Sequence, residues 1–250
     1  DGAAGWPGAA PLDAVIAPAS TDVVPRAWFD QLRPGGHLVV PLRVSPVVFW
    51  LQAVAAFRKV RQGFDQVAIT CGGFMPLRRA SWPDDLRGAP ARMVVDEVAD
   101  GGRDRALMEL AGPALAGLDR AARQRLAMTA MGFGRSRRVP LGGSSAQALL
   151  AYVALAVPEE RLVEVSRSGA RSAAARQHLG VVDAVDGSLA LLAPAVAGAG
   201  VLLDAYGGRG AERALLSAID RWVRAGRPRL ADATLTIRYG SVRPHGWRPG

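Results

Sequence analysis

The spacing of apolar and polar positions near the start of the chain predicts a strand, a helix and a second strand. The apolar run 12–17 is typical of a buried parallel strand. Pro25 stands where a helix commonly begins, and the Arg-Pro-Gly-Gly stretch 33–36 ends that helix. Residues 37–42 form the next strand. A strand–helix–strand order of this length predicts an α/β crossover and therefore a parallel pair.

Two further strands are predicted at 47–59 and 66–71, with a turn at Gln62 and Gly63 between them. The composition changes near residues 80–90, where Pro and Gly accumulate. We therefore predict one domain over residues 1–85 and a second over 86–250.

The second region gives mixed helix and strand signals. Residues 91–98 predict a strand. A helical stripe, kinked at 112–113, is predicted from Leu107, Leu110, Ala111, Ala114, Leu115 and Leu118. A capping box over 144–147 predicts the start of a buried helix, and the tail 243–250 is expected to be loose.

Later elements follow from turn signals and periodicity. Asp186-Gly187 predicts a hairpin between 181–185 and 189–192, and strands are expected at 201–206 and 235–239. One helical stripe is formed by Ala211, Leu215, Ile219 and Trp222.

Composition excludes some classes of function without selecting one. The formal net charge is 31 − 22 = +9, but one lysine among 31 basic residues looks like coding bias, so nucleic acid is an unlikely partner. A single cysteine excludes an intramolecular disulfide and fits a cytoplasmic location. The longest apolar run, 148–157, is about half the ~20 residues that a membrane span needs.

A family resemblance is carried by four segments in register, 1–7, 10–17, 24–26 and 31–42. Their order resembles protein-L-isoaspartate O-methyltransferases, and the resemblance covers residues 1 to about 80. It implies an α/β fold: a partial Rossmann-like methyltransferase sheet followed by a smaller α+β domain. It also implies S-adenosyl-L-methionine as cofactor, bound at the carboxyl ends of the strands.

The resemblance implies site residues but no catalytic residue. The cofactor-binding positions are Asp1, Gly2, Ala17 and Pro18. The substrate-binding positions are Ala19, Ser20, Phe74, Met75 and Pro76. Structural alternatives remain open: Asp-Gly is a common turn, Ser20 and Thr21 fit the start of a helix, and Phe74 fits a core position.

Two hypotheses about function follow. The first is a carboxyl O-methyltransferase acting on (iso)aspartyl residues of a protein or ribosomal peptide. In the family, the glycine-rich cofactor loop would lie before residue 1. The second hypothesis is therefore a non-catalytic truncated relative, or the substrate-binding subunit of a split enzyme, whose open sheet edge a partner chain or second copy covers. Residues 72–77 and 225–230 resemble the FxLD-type methyltransferases associated with lanthipeptides.

Other candidate sites are weaker. The Gly-Gly-Arg-Gly loop 207–210 precedes a helix, as a phosphate-binding loop does, but a plain turn is the simpler interpretation. Arginines within 120–138 suggest an anion contact or a solvated helix face. Cys71 is expected to be a buried strand residue. The three histidines lack metal-ligand spacing, so no metal site is predicted.

Overall fold

The computed structural model of the chain describes residues 2–21, 23–43, 45, 47, 51–75, 77, 91–98, 105–169, 172–194, 200–238 and 241–247. The helices are α1 Arg26–Gln31, α2 Arg120–Ala130, α3 Ala146–Ala156 and α4 Gly210–Arg224. The strands are β1 Leu12–Ile16, β2 Leu32–Arg43, β3 Gln52–Val60, β4 Gly63–Cys71, β5 Arg92–Val98, β6 Arg105–Ala111, β7 Arg135–Val139, β8 Leu162–Gly169, β9 Ser172–Asp183, β10 Ser188–Pro194, β11 Val201–Tyr206, β12 Ala233–Arg238 and β13 Ser241–Trp247. The class is mixed α/β, as the sequence predicts. None of the described helices is both long and apolar enough to span a bilayer.

The chain divides into two compact units. The first contains Asp1–Leu86 together with Pro228–Gly250, and the second contains Arg87–Arg227. The sequence predicted a single extension over 86–250, whereas in the structure the last 23 residues belong to the first unit.

The sheet of the first unit has the order β1-β2-β3-β4. β1 pairs with β2 in parallel, and β3 and β4 add in antiparallel orientation. The predicted parallel crossover is therefore confirmed. The register jumps from Leu12 opposite Leu32 to Ala14 opposite His37, because the Pro-Gly-Gly stretch bulges out of β2.

The prediction that β1 is buried is wrong. β1 forms one edge of the sheet, with β2 as its single strand neighbour among the described residues. Ile16 is 73% exposed, and no residue of β1 is fully buried. An apolar sequence of this kind is usual where both faces of a parallel strand are covered. The apolar pattern was read correctly as a strand, but its position at the edge leaves the strand exposed.

The core of the first unit lies on β2 and β3. Alternate residues of the two strands are buried, as expected for a sheet with one covered face: Leu38, Val40, Leu42, Ala53, Ala55 and Phe57. β3 begins at Gln52, later than the predicted start at residue 47.

The only lysine of the chain ties helix α1 to the core of this unit. The Nζ atom of Lys59 donates to the carbonyls of Phe29 and Leu32, both at 2.6 Å. The same ammonium lies 4.5 Å from the centroid of the Phe29 ring. These carbonyls are at the C-terminal end of α1, where the helix leaves acceptors unpaired and carries partial negative charge.

The carboxyl-terminal segment forms an ordered hairpin in the first unit, which corrects the prediction of a loose tail for its described part. β12 and β13 pair in antiparallel orientation from Ala233 opposite Trp247 to Arg238 opposite Ser241. On β4, the Gln66 side chain donates to the Ala233 carbonyl at 3.1 Å and accepts from the Leu235 amide at 2.7 Å. A glutamine amide thus joins the hairpin to the sheet.

The second unit carries the larger sheet, although the sequence predicted a smaller domain. Its seven strands have the order β5-β6-β8-β9-β10-β11-β7, and all neighbouring pairs are antiparallel. The hairpin at Asp186-Gly187 and the strand β11 are confirmed. The predicted stripe of α4 is buried: Ala211, Leu215, Ile219 and Trp222.

The helix predicted over 107–118 is wrong. Residues 105–111 form β6, which lies between β5 and β8, and a short 3-10 turn Pro113–Leu115 follows. Met108 and Leu110 are buried on one face of β6, with the less buried Glu109 between them. The 3–4 spacing of apolar residues across the strand and the turn imitates a helical period.

The predicted capping box is displaced by one residue. The N-cap of α3 is Ser145, whose hydroxyl accepts from the Ala148 amide, rather than Ser144. The prediction that α3 is buried almost all round is confirmed, because seven of its residues are buried.

Candidate functional site

Two loops that are distant in sequence lie side by side at the carboxyl end of β1. The Ser20 amide donates to the Met75 carbonyl at 2.9 Å, and the Leu77 amide donates to the Ser20 carbonyl at 2.7 Å. The Ser20 hydroxyl donates to the Phe74 carbonyl at 3.3 Å. Ser20, Phe74 and Met75, which the sequence assigned to one site, are therefore neighbours.

Gln52 holds the second of these loops, and sequence reasoning missed it. The residue is 3% exposed. Its Nε2 atom donates to the Phe74 carbonyl at 3.1 Å, and its Oε1 atom accepts from the Phe74 amide at 2.8 Å. The signal in the sequence was a single amide at the start of an apolar strand, because a buried polar side chain needs a partner.

Thr21 has a structural role. Its amide donates to the Pro41 carbonyl and its own carbonyl accepts from the Arg43 amide, both at 3.0 Å, so the backbone continues alongside β2. Its hydroxyl closes a turn with Val23. The alternative that Ser20 or Thr21 starts a helix is wrong, since the N-cap of α1 is Pro25.

Gly2 lies in the same neighbourhood. A side-chain carbon built at Gly2 would lie 3.9 Å from Cδ1 of Leu77, the residue that pairs with Ser20. Trp28 Nε1 donates to the Gly2 carbonyl at 2.8 Å. The adjacent backbone is held by Gln31, which donates to the Ala4 carbonyl and accepts from the Trp6 amide. Asp1 and Pro76 lie outside the described residues.

The exposed side chains at this place are apolar. Phe74 and Met75 are exposed, so Phe74 is not the core residue that one interpretation of the sequence expected. Pro18 is exposed and has no amide hydrogen, while the Ala17 amide donates to the Val39 carbonyl at 2.9 Å. Ala19 is half-buried. The surface thus offers apolar contacts, since the amides of Ala17 and Ser20 and the carbonyls of Ser20, Phe74 and Met75 already form hydrogen bonds.

Comparison with known sequences shows what this segment resembles. The family model described as Protein-L-isoaspartate(D-aspartate) O-methyltransferase matches residues 1–77. Residues 1–77 are therefore similar in sequence to the protein-L-isoaspartate O-methyltransferase family. The match includes both loops that meet at Ser20 and Phe74.

Individual relatives match the same part of the chain. The protein-L-isoaspartate O-methyltransferase 1 of Anaeromyxobacter sp. is 44% identical over 82 residues, which are 32% of this chain and 37% of the relative. The Brucella anthropi enzyme of this family is 35% identical over 85 residues, 34% of this chain and 38% of the relative. The chain thus spans well under half the length of these relatives. A solved protein-L-isoaspartate O-methyltransferase structure aligns over 98% of this chain and 57% of its own, at 15% identity and a TM-score of 0.33, too low to establish a common fold.

Enzymes of this family use S-adenosyl-L-methionine. A side-chain carbon added at Gly2 would make an ordinary van der Waals contact with Leu77 at 3.9 Å, so this position is not sterically crowded. Each described carboxylate of residues 2–77 forms an ion pair with an arginine: Asp13 with Arg33, Asp30 with Arg26 and Asp65 with Arg58. Among the described residues of 2–77, no carboxylate is therefore left unpaired for the ribose hydroxyls of such a cofactor.

Cys71 is not the buried residue that the sequence predicted. It lies on β4 and is exposed. Desolvation of the sulfur by its neighbours nevertheless raises the pKa of the Cys71 thiol. A raised pKa lowers the fraction of nucleophilic thiolate, which argues against a reactive cysteine.

The loop 207–210 does not have the open space of a phosphate site. The amide of Gly210, the first residue of α4, donates to Oδ2 of Asp186 at 2.7 Å. A side-chain carbon at Gly208 or Gly210 would lie within 2.5 Å of the carboxylate oxygens of Asp186 or Asp183. Two carboxylates thus occupy the place where a phosphate would need to bind, which favours the plain strand–helix turn.

Proposed function

We propose that this chain forms the substrate-facing part of an S-adenosyl-L-methionine-dependent carboxyl O-methyltransferase that acts on (iso)aspartyl residues of a protein or peptide. The match of residues 1–77 to the family model supports this proposal. One observation carries it: the Ser20 loop at the end of β1 and the Phe74–Met75 loop are joined by backbone hydrogen bonds into one surface.

Each group of residues has a role in this proposal. Gly2, with Asp1, Ala17 and Pro18, borders the cofactor, which supplies an electrophilic methyl group when bound. Phe74 and Met75, with Pro76, pack against apolar parts of the peptide and exclude water from its carboxylate, and Ala19 and Ser20 form the facing wall. Since a carboxylate is already ionised at neutral pH, no side chain has to remove a proton. Positioning is then the main contribution of the protein.

The test is transfer of a labelled methyl group from S-adenosyl-L-methionine to an L-isoaspartyl peptide, with the L-aspartyl peptide of the same sequence as control. We expect a base-labile methyl ester on the substrate. The double variant Phe74→Ala, Met75→Ala is expected to raise KM at least tenfold. The matched control is Val67→Ala, which shortens an exposed apolar residue on β4, outside the Phe74–Met75 loop. A chain that binds S-adenosylhomocysteine but methylates neither peptide contradicts the proposal.

The same assay separates repair from biosynthesis. The resemblance of 72–77 and 225–230 to lanthipeptide-associated methyltransferases supports a ribosomal peptide as substrate. Transfer to an aspartyl side chain of a ribosomal peptide is then expected to exceed transfer to the isoaspartyl peptide. The opposite preference assigns the protein to repair of isoaspartyl residues. The single cysteine supports a reducing, cytoplasmic setting for either role.

A second candidate function is that of a subunit in a two-chain methyltransferase, or of a non-catalytic relative. The exposure of β1 favours it, because an apolar edge strand with Ile16 on the surface is a ready site for pairing with another strand. A partner chain or a second copy would cover this edge. Failure of the chain alone to bind S-adenosylhomocysteine by calorimetric titration, together with self-association that Ile16→Asp abolishes, would support this candidate over the first.

A further inference from the structure

Three exposed apolar side chains lie near the carboxyl end of helix α2 and just after it in the second unit. Met128 is 70% exposed, Met131 is 52% exposed, and Phe133 is fully exposed. Met128 and Met131 continue the face that begins with Arg120 and Gln124, because residues three and four apart are neighbours on a helix. Phe133 follows Met131 by two residues in the sequence. Several large exposed apolar side chains close together in the chain commonly mark an interaction site.

A groove of about 450 Å³ lies beside the same face of α2. It is lined by Met93, Leu118, Arg120, Arg123, Gln124 and Ala127. Met93, Leu118 and Ala127 also pack against the hydrophobic core of the unit, so they form an apolar floor. The groove therefore has an apolar floor, with arginines along it.

Arg123 is held in place by the backbone. Its Nε atom donates to the Leu118 carbonyl at 3.2 Å, and its Nη2 atom donates to the Leu115 carbonyl at 3.0 Å. These neutral partners fix the position of the guanidinium while leaving its positive charge in the groove.

The lining of the groove includes two arginines, Arg120 and Arg123, and no acidic residue. Residues 119–138 contain six arginines and a single acidic residue, Asp119. The Asp119 side chain caps α2 by accepting from the Ala122 amide. Of the arginines, Arg135 pairs with Glu212, whereas Arg120, Arg125 and Arg137 have no carboxylate partner in the described part of the chain. The arginines of 120–138 therefore do not all lie on one helix face, as one interpretation of the sequence expected, because residues 135–138 lie on β7.

We propose that this surface, the groove together with Met128, Met131 and Phe133, binds an acidic peptide segment that also carries apolar side chains. The arginines are complementary to its carboxylates, and the flexible methionines adapt to its apolar groups. From Arg120 to Met131 the helix rises about 16 Å, the length of about five residues of extended peptide. Phe133 is the single aromatic residue of 119–138, which disfavours nucleic acid, since stacking of successive bases needs several. The proposal does not depend on methyl transfer.

The test is fluorescence anisotropy of the full chain with a labelled octapeptide of alternating Glu and Leu. A peptide of alternating Lys and Leu and a single-stranded RNA of similar length are the comparison probes. We expect saturable binding of the acidic peptide that weakens at high salt and no binding of the basic one. Arg120→Glu and Phe133→Ser are each expected to weaken binding at least tenfold.

The matched control is Arg213→Glu, which makes the same charge change at an exposed arginine on α4 and is expected to alter binding less than twofold. Circular dichroism of each variant checks that the fold is kept. Equal weakening by Arg120→Glu and Arg213→Glu overturns the proposal, because binding then reflects net charge alone. Absence of saturable peptide binding, or tighter binding of the RNA that Arg120→Glu abolishes, also overturns it.

Discussion

The side chain of Gln52 forms two hydrogen bonds with the backbone of Phe74, one to its amide and one to its carbonyl. A primary amide presents one donor side and one acceptor side, as a neighbouring strand would. Gln31 binds Ala4 and Trp6 in the same way, and Gln66 binds Ala233 and Leu235. In each case a glutamine side chain binds the backbone of a segment that lies outside the four-stranded sheet of the first unit.

The first prediction concerns Gln52→Leu. The substitution keeps a side chain of similar size but leaves the Phe74 amide without its partner and the Phe74 carbonyl with the Ser20 hydroxyl alone, so the free energy of unfolding should fall by about 2 kcal/mol. The loop at Phe74 and Met75 should also open more often. Hydrogen exchange of the Phe74 amide, followed by mass spectrometry, measures this. Gln62→Leu, at the exposed turn between β3 and β4, is the control. Unchanged exchange at Phe74 would show that Ser20 alone holds the loop.

The second prediction concerns Lys59→Met. Loss of the ammonium removes two charge-assisted hydrogen bonds to Phe29 and Leu32, and the free energy of unfolding should fall by about 2 kcal/mol. Lys59→Arg is not expected to restore it fully, because a planar guanidinium does not fit the place of a compact ammonium between two carbonyls. Urea denaturation measures both. Arg61→Met, at an exposed turn position, should have little effect. A fully stable Lys59→Arg would contradict the geometric argument.

The third prediction concerns Gln66→Ala. Without the amide, the Leu235 backbone loses its partner on β4, and the β12–β13 hairpin should detach more readily. Limited proteolysis is expected to cleave between 228 and 247 at least several times faster than in the unchanged chain. Thr70→Ala, at an exposed position of β4, serves as control. Equal cleavage rates in the two variants would mean that other contacts hold the hairpin.

The fourth prediction concerns the pH dependence contributed by Asp186. Partial desolvation raises its pKa, but hydrogen bonds from Ser188 and from the backbone of Gly210 and Arg209 outweigh this and lower the pKa below its ordinary value. A lowered folded-state pKa stabilises the fold above the unfolded-state value of about 3.9, and this contribution is lost as the pH falls through the folded-state pKa.

Asp186→Asn should therefore lower the free energy of unfolding at pH 7, by less than about 1 kcal/mol because solvent screens this exposed carboxylate, and this difference should shrink below about pH 4. Urea denaturation between pH 2 and 7 measures it. Asp220→Asn, which removes an exposed carboxylate on α4, is the control and should show little change. A difference between Asp186→Asn and the unchanged chain that stays constant over the whole range would exclude a role for the carboxylate charge.

The sequence predicted that Ser20 and Phe74 lie close together, but not which contacts hold them there. Ser20 and Phe74 were assigned to one site by resemblance, and the structure places them in contact across 54 positions of sequence. Gln52 was missed because a single glutamine in a strand does not indicate which backbone it will meet. The same holds for Lys59, whose two acceptors lie 27 and 30 positions away.

The sequence by itself determined most strands, the crossover of β1 and β2, the hairpin at Asp186 and the buried stripe of α4. These depend on periodicity and turn residues, which are local. The tertiary structure decided that residues 105–111 form a strand. The spacing of their apolar residues is compatible with both a helix and a strand, and pairing with the neighbouring strands β5 and β8 selects the strand. It also decided that β1 is an exposed edge and that the last segment pairs in the first unit. Burial and pairing of a strand depend on which other segments lie beside it, and local sequence does not encode that.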